Sequence, residues 1–244
     1  MYCITSSKYV HYDYEKWISH FCQNDRRRLT LDFSKEEKLS EKERRLLFKS
    51  IIAFQEGEGS DGKYLLKAAE NFAESFCCPD YSKAMELFIK EENWHSSYLS
   101  RYMKYHGVRV QNKNPLDKVF RRLRKAGGIR SEITVLVTAE IIALAYYTAL
   151  SKATNSILLK RICKQMLKDE LPHIIFQSYT LSFLPNTVWH NLLRIFLMGA
   201  TTVVVWIAFG DLLLAGGYSF DRFLSENLSY LRQSIRLAKV KGSR

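Results

Sequence analysis

Two Glu-x-x-His segments are the parts of this chain best suited to chemistry. They run from Glu92 to His95 and from Glu170 to His173. Residues three apart lie on the same face of an α-helix, so each segment presents a carboxylate beside an imidazole. The helix face around Glu92 is otherwise apolar, which predicts that this pair points into the protein core.

Two further glutamates fall on apolar helix faces of their own. Glu140 follows Val137 by three residues, and Glu58 follows Ile51 by seven, so each acid shares a face with apolar side chains. Glu56 is two residues away from that face and aligns with basic residues. We therefore expect Glu58 to be buried and Glu56 to face solvent.

The four acids are also expected at one height in the fold. Glu140 lies 15 residues before residue 155, where two predicted helices meet, and Glu170 lies 15 residues after it. At 1.5 Å per residue, both acids sit about 22 Å from that turn. Glu58 and Glu92 have their midpoint at residue 75, just before a break at Pro79. Each helical hairpin can therefore bring its acids to a common level.

Four buried carboxylates and two imidazoles in one layer need compensating charge, because burying unpaired charges is very costly. One Glu from each of two helices and Glu-x-x-His from each of two others is the ligand pattern of dinuclear iron or manganese sites. The alternative is a set of buried ion pairs, but no Lys or Arg lies on these stripes near the acids. The predicted metal ligands, which are also the predicted catalytic residues, are Glu58, Glu92, His95, Glu140, Glu170 and His173.

Apolar residues spaced by three and four dominate the chain and predict an all-α protein. Short connections join the first and second bundle helices and the third and fourth, whereas the connection between the second and third is long. We therefore predict one domain over 1–244, a ferritin-like four-helix bundle with a long crossover and additional C-terminal helices. The bundle core covers about 41–184 and the extra helices about 187–239, while residues 1–40 show no clear pattern. The predicted helices are 41–76, 80–106, 130–154, 156–184, 187–215 and 219–239, with a short one near 116–126.

Two local features predict irregular backbone beside the acids. Pro172 lies inside the second Glu-x-x-His segment, where a mid-helix proline removes a hydrogen bond and favours a kink or bulge. Gly57, Gly59 and Gly62 surround Glu58 and weaken the helix there. The glycines would either leave room for a substrate or permit close helix packing.

The string EENWHSSYLSRYMKYHGV resembles the second metal-binding helix of ferritin-like di-iron proteins, including acyl-carrier-protein desaturases. The strings TAEIIALAYYTAL and MLKDELPHIIF resemble helices of aldehyde-deformylating oxygenases and rubrerythrin-like proteins, and 117–177 resembles bacterial ferritin-like domain proteins. The resemblance covers about 45–180. It implies the same six ligands and O2 chemistry at a di-iron centre, with no specific substrate.

Four other residues are candidates for supporting the ligands. Ligating histidines usually donate their second N–H to a carboxylate or carbonyl, so Asp169 and Glu91 are possible acceptors; otherwise they are solvated acids. Tyr147 lies on the Glu140 face and could bond a ligand or simply pack in the core. Asp61 lies one turn past Glu58.

The charge and the cysteines limit the partners and the location. The chain has 244 residues and a formal net charge of +12. Its basic runs indicate either solvated faces or an acidic partner, such as a carrier protein or an electron-transfer protein. We expect no nucleic acid, because aromatic and basic residues are not interleaved. Five cysteines without a Cys-x-x-Cys pair favour a reducing compartment, so the expected location is the cytoplasm.

The longest apolar run is Ile195 to Gly210, bracketed by Arg194 and Asp211. Its 16 residues are fewer than the roughly 20 that a membrane-spanning helix needs. We therefore expect a buried core helix and no membrane partner.

These observations together predict a non-haem di-iron oxygenase or oxidase acting on a small organic substrate, acyl or carrier-bound. Its cofactors would be two Fe, or Mn and Fe, with O2 as co-substrate. Electrons would come from an external donor, because the chain has no flavin or nicotinamide fingerprint. The alternatives are a ferroxidase or peroxide-scavenging iron protein and a membrane-surface quinol oxidase; a homodimer remains open.

Overall fold

The computed structural model describes residues 3–59, 62–109 and 128–239. Within these residues the protein has eight α-helices and no strand, which confirms the all-α prediction. The predicted helix near 116–126 and Asp61 lie outside the described residues. The helices are α1 Tyr14–Arg26, α2 Glu41–Glu58, α3 Lys63–Ser75, α4 Asp80–Tyr105, α5 Gly128–Ala153, α6 Ile157–Leu181, α7 Val188–Ala215 and α8 Phe220–Lys239.

The prediction of one helix over 41–76 was wrong, because the chain forms α2 and α3 with a break between them. Gly62 has a φ of +66°, a left-handed conformation that favours glycine. A Cβ at this position would lie 2.7 Å from Cδ1 of Ile89 on α4, so the break also allows close helix packing. As a result, Glu58 is the last residue of α2.

Pro172 does not interrupt α6, which runs as one α-helix from Ile157 to Leu181. The expected bulge is therefore not formed. Non-helical backbone occurs instead in α7, where Phe209 has φ −137° and ψ 21° and marks a kink. The missing hydrogen bond at a proline is tolerated here because the helix is packed on several sides.

The helices that carry the predicted ligands pack around a common interior. Helix α5 packs against α6, α7, α8 and α3, and α4 packs against α1, α2, α3 and α6. Helix α1, which the sequence did not predict, places Tyr14, Trp17 and Phe21 in the core.

The expectation of a fully buried helix for the apolar run was wrong. Among the helices that the structure describes, α5 and α7 are long and apolar enough to cross a bilayer by length and composition. The most apolar stretch of α5 is 83% buried, whereas that of α7 is 33% buried. Helix α5 is thus the core helix, and α7 covers the core with one face only.

Glu36 connects the segment before α2 to two distant helices. Its buried carboxylate accepts hydrogen bonds from Ser156 Oγ at 2.5 Å and from the Leu158 backbone N–H at 3.3 Å. Tyr102 of α4 donates a third bond at 3.4 Å. A carboxylate at a helix N-terminus satisfies backbone donors that the helix itself leaves unpaired. Glu36 therefore fixes the start of α6 relative to α4.

We predict that Glu36→Ala lowers the free energy of unfolding by about 2–3 kcal/mol, because it leaves buried donors at Ser156 and Leu158 without an acceptor. Chemical denaturation followed by circular dichroism measures this. The matched control is Glu37→Ala, since Glu37 is exposed and its removal is expected to change stability by less than about 0.5 kcal/mol. Equal stabilities of the two variants would contradict the proposed role of Glu36.

Candidate metal centre

Four helices place all six predicted ligands in one cluster inside the protein. Helix α2 supplies its last residue, α5 supplies one glutamate, and α4 and α6 each supply a Glu-x-x-His segment. The side chains of His95, Glu170 and His173 are fully buried, and those of the other three are at most 14% exposed. The residues brought together are Glu58, Glu92, His95, Glu140, Glu170 and His173.

Each imidazole turns its Nδ1 atom toward carboxylate oxygens. His173 Nδ1 lies 3.0 Å from Glu92 Oε1, 3.5 Å from Glu170 Oε2 and 3.6 Å from Glu140 Oε2. His95 Nδ1 lies 3.5 Å from Glu170 Oε1, and 3.7 Å from Glu92 Oε1. Glu92 and Glu170 therefore lie between the two histidines and are shared by both.

The cluster divides into two groups that could each hold a metal ion. In each group, one ligand atom per residue lies within 4.8 Å of all the others. Glu58 completes the second group, with its Oε2 atom 3.8 Å from His95 Nδ1. The first group is Glu92, Glu140, Glu170 and His173, and the second is Glu58, Glu92 and His95.

The opposite ring nitrogens contact the two predicted supporting acids. His95 Nε2 lies 3.2 Å from Asp169 Oδ2, and His173 Nε2 lies 2.9 Å from Glu91 Oε1. An acid of α6 thus holds the histidine of α4, and an acid of α4 holds the histidine of α6. These contacts favour the tautomer with its proton on Nε2, which directs the Nδ1 lone pair into the cluster.

Several buried ligand atoms have no hydrogen-bond partner among the described residues. Native proteins rarely leave buried polar atoms unpaired, and each such group needs an explanation. A cation bound between the acids would satisfy these atoms together and offset the carboxylate charge, so the donor set fits divalent metal ions. The unpartnered atoms are Glu92 Oε1, both Glu170 carboxylate oxygens, His95 Nδ1 and His173 Nδ1.

The electrostatics of the cluster show how strongly the acids repel one another. Burial, followed by the charges of Glu140 and Glu58, raises the pKa of both Glu92 and Glu170 well above the usual range. Burial alone would raise the pKa of Glu58 too, but the neighbouring His95 outweighs it and lowers that pKa. Without a metal, the neutral, protonated forms of Glu92 and Glu170 are therefore favoured relative to those of an exposed glutamate.

For the two histidines, burial and the neighbouring carboxylates shift the pKa in opposite directions. Burial alone would lower the pKa of His95, but its hydrogen bond to Asp169 and the nearby carboxylate of Glu58, 3.8 Å from Nδ1, outweigh burial and raise that pKa well above its usual value. The pKa of His173 is raised in the same manner, chiefly by the charge of Glu92. The pKa shifts of the acids and of the histidines thus belong to one coupled set, in which a proton on either kind of group reduces the repulsion between the carboxylates.

Tyr147 bonds one of the predicted ligands, which is one of the two roles predicted for it from the sequence. Its hydroxyl donates a 2.5 Å hydrogen bond to Glu58 Oε1, and burial raises the pKa of this hydroxyl well above 10. Tyr147 therefore remains a neutral donor that fixes the orientation of Glu58. Glu56 is partly buried rather than exposed as expected, and it contributes no atom to either candidate metal group.

The sequence reasoning missed three contributors to the site. Gln165 donates its amide to Asp169 at 2.7 Å, and the i,i+4 spacing of this pair on α6 could have revealed it. Gln55 donates to Ser96 Oγ at 2.8 Å and ties the end of α2 to α4. The Phe21 ring of the unpredicted helix α1 lies 6.1 Å from the His173 ring. No local spacing in the sequence signals the last two contacts, because they join distant segments.

A small open pocket, with a cavity volume of about 20 Å³, leads toward the supporting acids. It begins near Asp25 and Arg28 and reaches Glu91, His95 and Asp169. The Arg28 guanidinium lies 3.8 Å from the Trp94 ring on the pocket wall. The pocket approaches the cluster from the Nε2 side of the histidines, so it contacts the acids that orient the ligands.

We predict that Glu58→Ala abolishes loading of two metal ions per chain, because it removes the only carboxylate of α2 in the second candidate group. Elemental analysis of protein reconstituted with excess Fe(II) or Mn(II) measures the metal content. The matched control is Glu56→Ala, which removes the neighbouring acid on the same helix and should leave the content unchanged. Loss of metal in the Glu56 variant alone would show that the assigned helix face is wrong.

Metal binding should also release protons and strengthen as pH rises. The raised pKa values of Glu92, Glu170, His95 and His173 mean that protonated forms are favoured in the metal-free cluster, and a metal must displace the protons from the atoms that it binds. The apparent affinity for Mn(II) should rise about tenfold per pH unit for each proton released. Calorimetric titrations between pH 6 and pH 8, in buffers of different ionisation enthalpy, measure both quantities. An affinity independent of pH would contradict this electrostatic picture.

No protein-family model matches this chain, and comparison with curated proteins and with solved structures found no match. The resemblance to ferritin-like di-iron proteins therefore rests on short motifs and on ligand geometry. What the structure itself establishes is an all-helical protein with buried carboxylates and histidines that could hold a metal ion.

Proposed function

We propose that this protein is a ferritin-like, dinuclear iron oxidoreductase that uses O2. The observation that carries the proposal is the pair of unpartnered Nδ1 atoms on His95 and His173, which face the shared carboxylates of Glu92 and Glu170. Two ions held side by side account for this symmetry, whereas a single ion would leave one imidazole without a role.

The donor set supports iron or manganese over other common metals. Structural zinc sites are closed and tetrahedral and are usually rich in Cys and His, and calcium takes oxygen ligands only. Four carboxylates with two imidazoles form the set that ferritin-like bundles use for iron and manganese. When bound, a pair of iron ions would supply the electrons and the coordination positions for reduction of O2.

Different residues of the cluster would have different roles in holding a pair of metal ions. Glu92 and Glu170 lie near both histidines and would hold the pair together with them, while Glu58 would act beside His95 and Glu140 beside His173. Their burial excludes water, which strengthens each electrostatic interaction in the cluster. Tyr147 fixes the orientation of Glu58 through its hydrogen bond.

Asp169 and Glu91 contact the histidines on the side away from the cluster, where they fix the orientation of the imidazoles and raise their basicity. Asp169 and Glu91 accept the Nε2 protons, so the imidazoles behave as stronger donors toward the cluster. Gln165 in turn holds Asp169 through two contacts of 2.7 and 3.0 Å. This chain of hydrogen bonds would keep the ligand geometry constant while the charge of the centre changes during turnover.

The proposed substrate is a small organic molecule that is oxidised at the expense of O2. The net charge of +12 supports an acidic substrate or an acidic carrier, because such partners are attracted by a basic surface. Electrons would come from an external donor.

The decisive experiment mixes the anaerobic, Fe(II)-loaded protein with O2 and records oxygen consumption and absorbance changes in the near-ultraviolet and visible range. The wild type should consume O2 faster than free Fe(II) and develop a new absorption band. Glu92→Gln should lose both signals, because it alters a carboxylate shared by the two metal groups. The matched control on the same helix is Glu86→Gln, since Glu86 is exposed and pairs with Lys83. Oxygen consumption no faster than that of free Fe(II) would refute the proposal.

A further inference from the structure

The outer face of α7 is apolar along most of its length. Between Val188 and Gly210, every exposed side chain is apolar. Trp189 is 81% exposed, Phe196 is 73% exposed and Ile207 is 78% exposed. At 1.5 Å per residue, this surface extends for about 28 Å. Its members are Val188, Trp189, Leu192, Leu193, Ile195, Phe196, Ala200, Val203, Val204 and Ile207.

The inner face of the same helix carries buried polar side chains among its apolar ones. Arg194, the only charged residue between positions 188 and 210, is 2% exposed and donates to Ser234 Oγ of α8 at 2.7 Å. Thr202 is fully buried and accepts a hydrogen bond from Asn227 of α8 at 3.2 Å. The helix thus turns its cation and a hydroxyl inward and its largest apolar side chains outward.

This orientation would be unfavourable if the outer face met water. A helix at a water surface buries its apolar face and exposes its polar one, and desolvating a guanidinium is costly. Burial lowers the pKa of Arg194 to about 10. Soluble monomers rarely expose continuous apolar patches of this kind, and large patches mark interaction surfaces. The outer face of α7 is therefore built to contact an apolar medium or partner.

We propose that the outer face of α7 docks the protein onto an anionic lipid bilayer, with the helix lying in the plane of the interface. The net charge of +12 complements anionic headgroups, whereas a second copy of this chain would bring the same charge and repel. The helix lies on the bilayer rather than crossing it, because its inner face packs on α5 and α8. Apolar contact combined with attraction to anionic lipids is the general mode of such binding.

The inference does not depend on the proposed function, because α7 carries none of the proposed metal ligands. It replaces the sequence-based expectation that no membrane partner exists. The new observation is the exposure of the apolar run, which the sequence alone assigned to the core.

The test is co-sedimentation of the purified full-length chain with vesicles of phosphatidylcholine and phosphatidylglycerol. The wild type should bind these vesicles, and added salt should weaken the binding. The triple variant Trp189→Ser, Phe196→Ser, Ile207→Ser should partition about 100-fold more weakly, because three exposed apolar side chains no longer enter the interface. The matched control is Ile157→Ser on α6, since Ile157 is 70% exposed but lies outside α7; it should bind like the wild type.

Circular dichroism would verify that all variants keep their helices, which is expected because the changed side chains are exposed. Three results would overturn the proposal. One is no binding of the wild type to anionic vesicles, and another is unchanged binding by the triple variant. The third is a stable dimer in analytical ultracentrifugation that needs Trp189, Phe196 and Ile207 and does not bind vesicles, which would identify the face as a contact between two copies.

Discussion

The buried layer of four carboxylates and two imidazoles is the constraint on which the rest of the structure depends. Acids this close cannot all be ionised in a dry interior unless positive charge is held between them. In the metal-free protein, the raised pKa values of Glu92, Glu170 and the two histidines show that the cluster favours bound protons as part of that compensation. A pair of divalent cations would replace those protons and satisfy the ligand atoms that otherwise have no partner.

The reciprocal arrangement of α4 and α6 satisfies this constraint with few residues. On each helix, two acids adjacent in sequence point in different directions, because successive helical residues differ by about 100°. Glu92 and Glu170 turn toward the cluster, while Glu91 and Asp169 reach the histidine of the opposite helix. One pair of neighbouring residues therefore contributes both a ligand and the group that orients another ligand.

The periodicity of the sequence predicted much of the site, because the spacing of three fixes which side chains share a helix face. The count of residues from the turn at 155 placed Glu140 and Glu170 at one level, and the structure has them both within 3.6 Å of His173 Nδ1. The break between α2 and α3 was not predicted, because three glycines can either thin a helix or end it. Only the packing of Gly62 against Ile89 decides between these outcomes.

Tertiary packing also explains the structural features that local sequence patterns predicted wrongly. Pro172 predicted a kink or bulge, yet α6 continues through it as one α-helix, because its neighbours hold the helix on several sides. The run from Ile195 to Gly210 looked like a core helix, since composition does not tell which apolar residues find a partner. Helix α5 occupies the core instead, and α7 covers it with the face that carries Arg194. Helix α1 was not predicted although it has local signals: Asp13 caps its N-terminus, and its buried aromatic residues are spaced by three and four.

Whether two metal ions bind between the shared carboxylates is tested most directly with crystals of the metal-reconstituted protein, measured at the iron absorption edge. We predict two anomalous-scattering peaks per chain, one beside His95 Nδ1 and one beside His173 Nδ1, with Glu92 and Glu170 between them. A map with no peak in this cluster, in a preparation saturated with Fe(II), would contradict it.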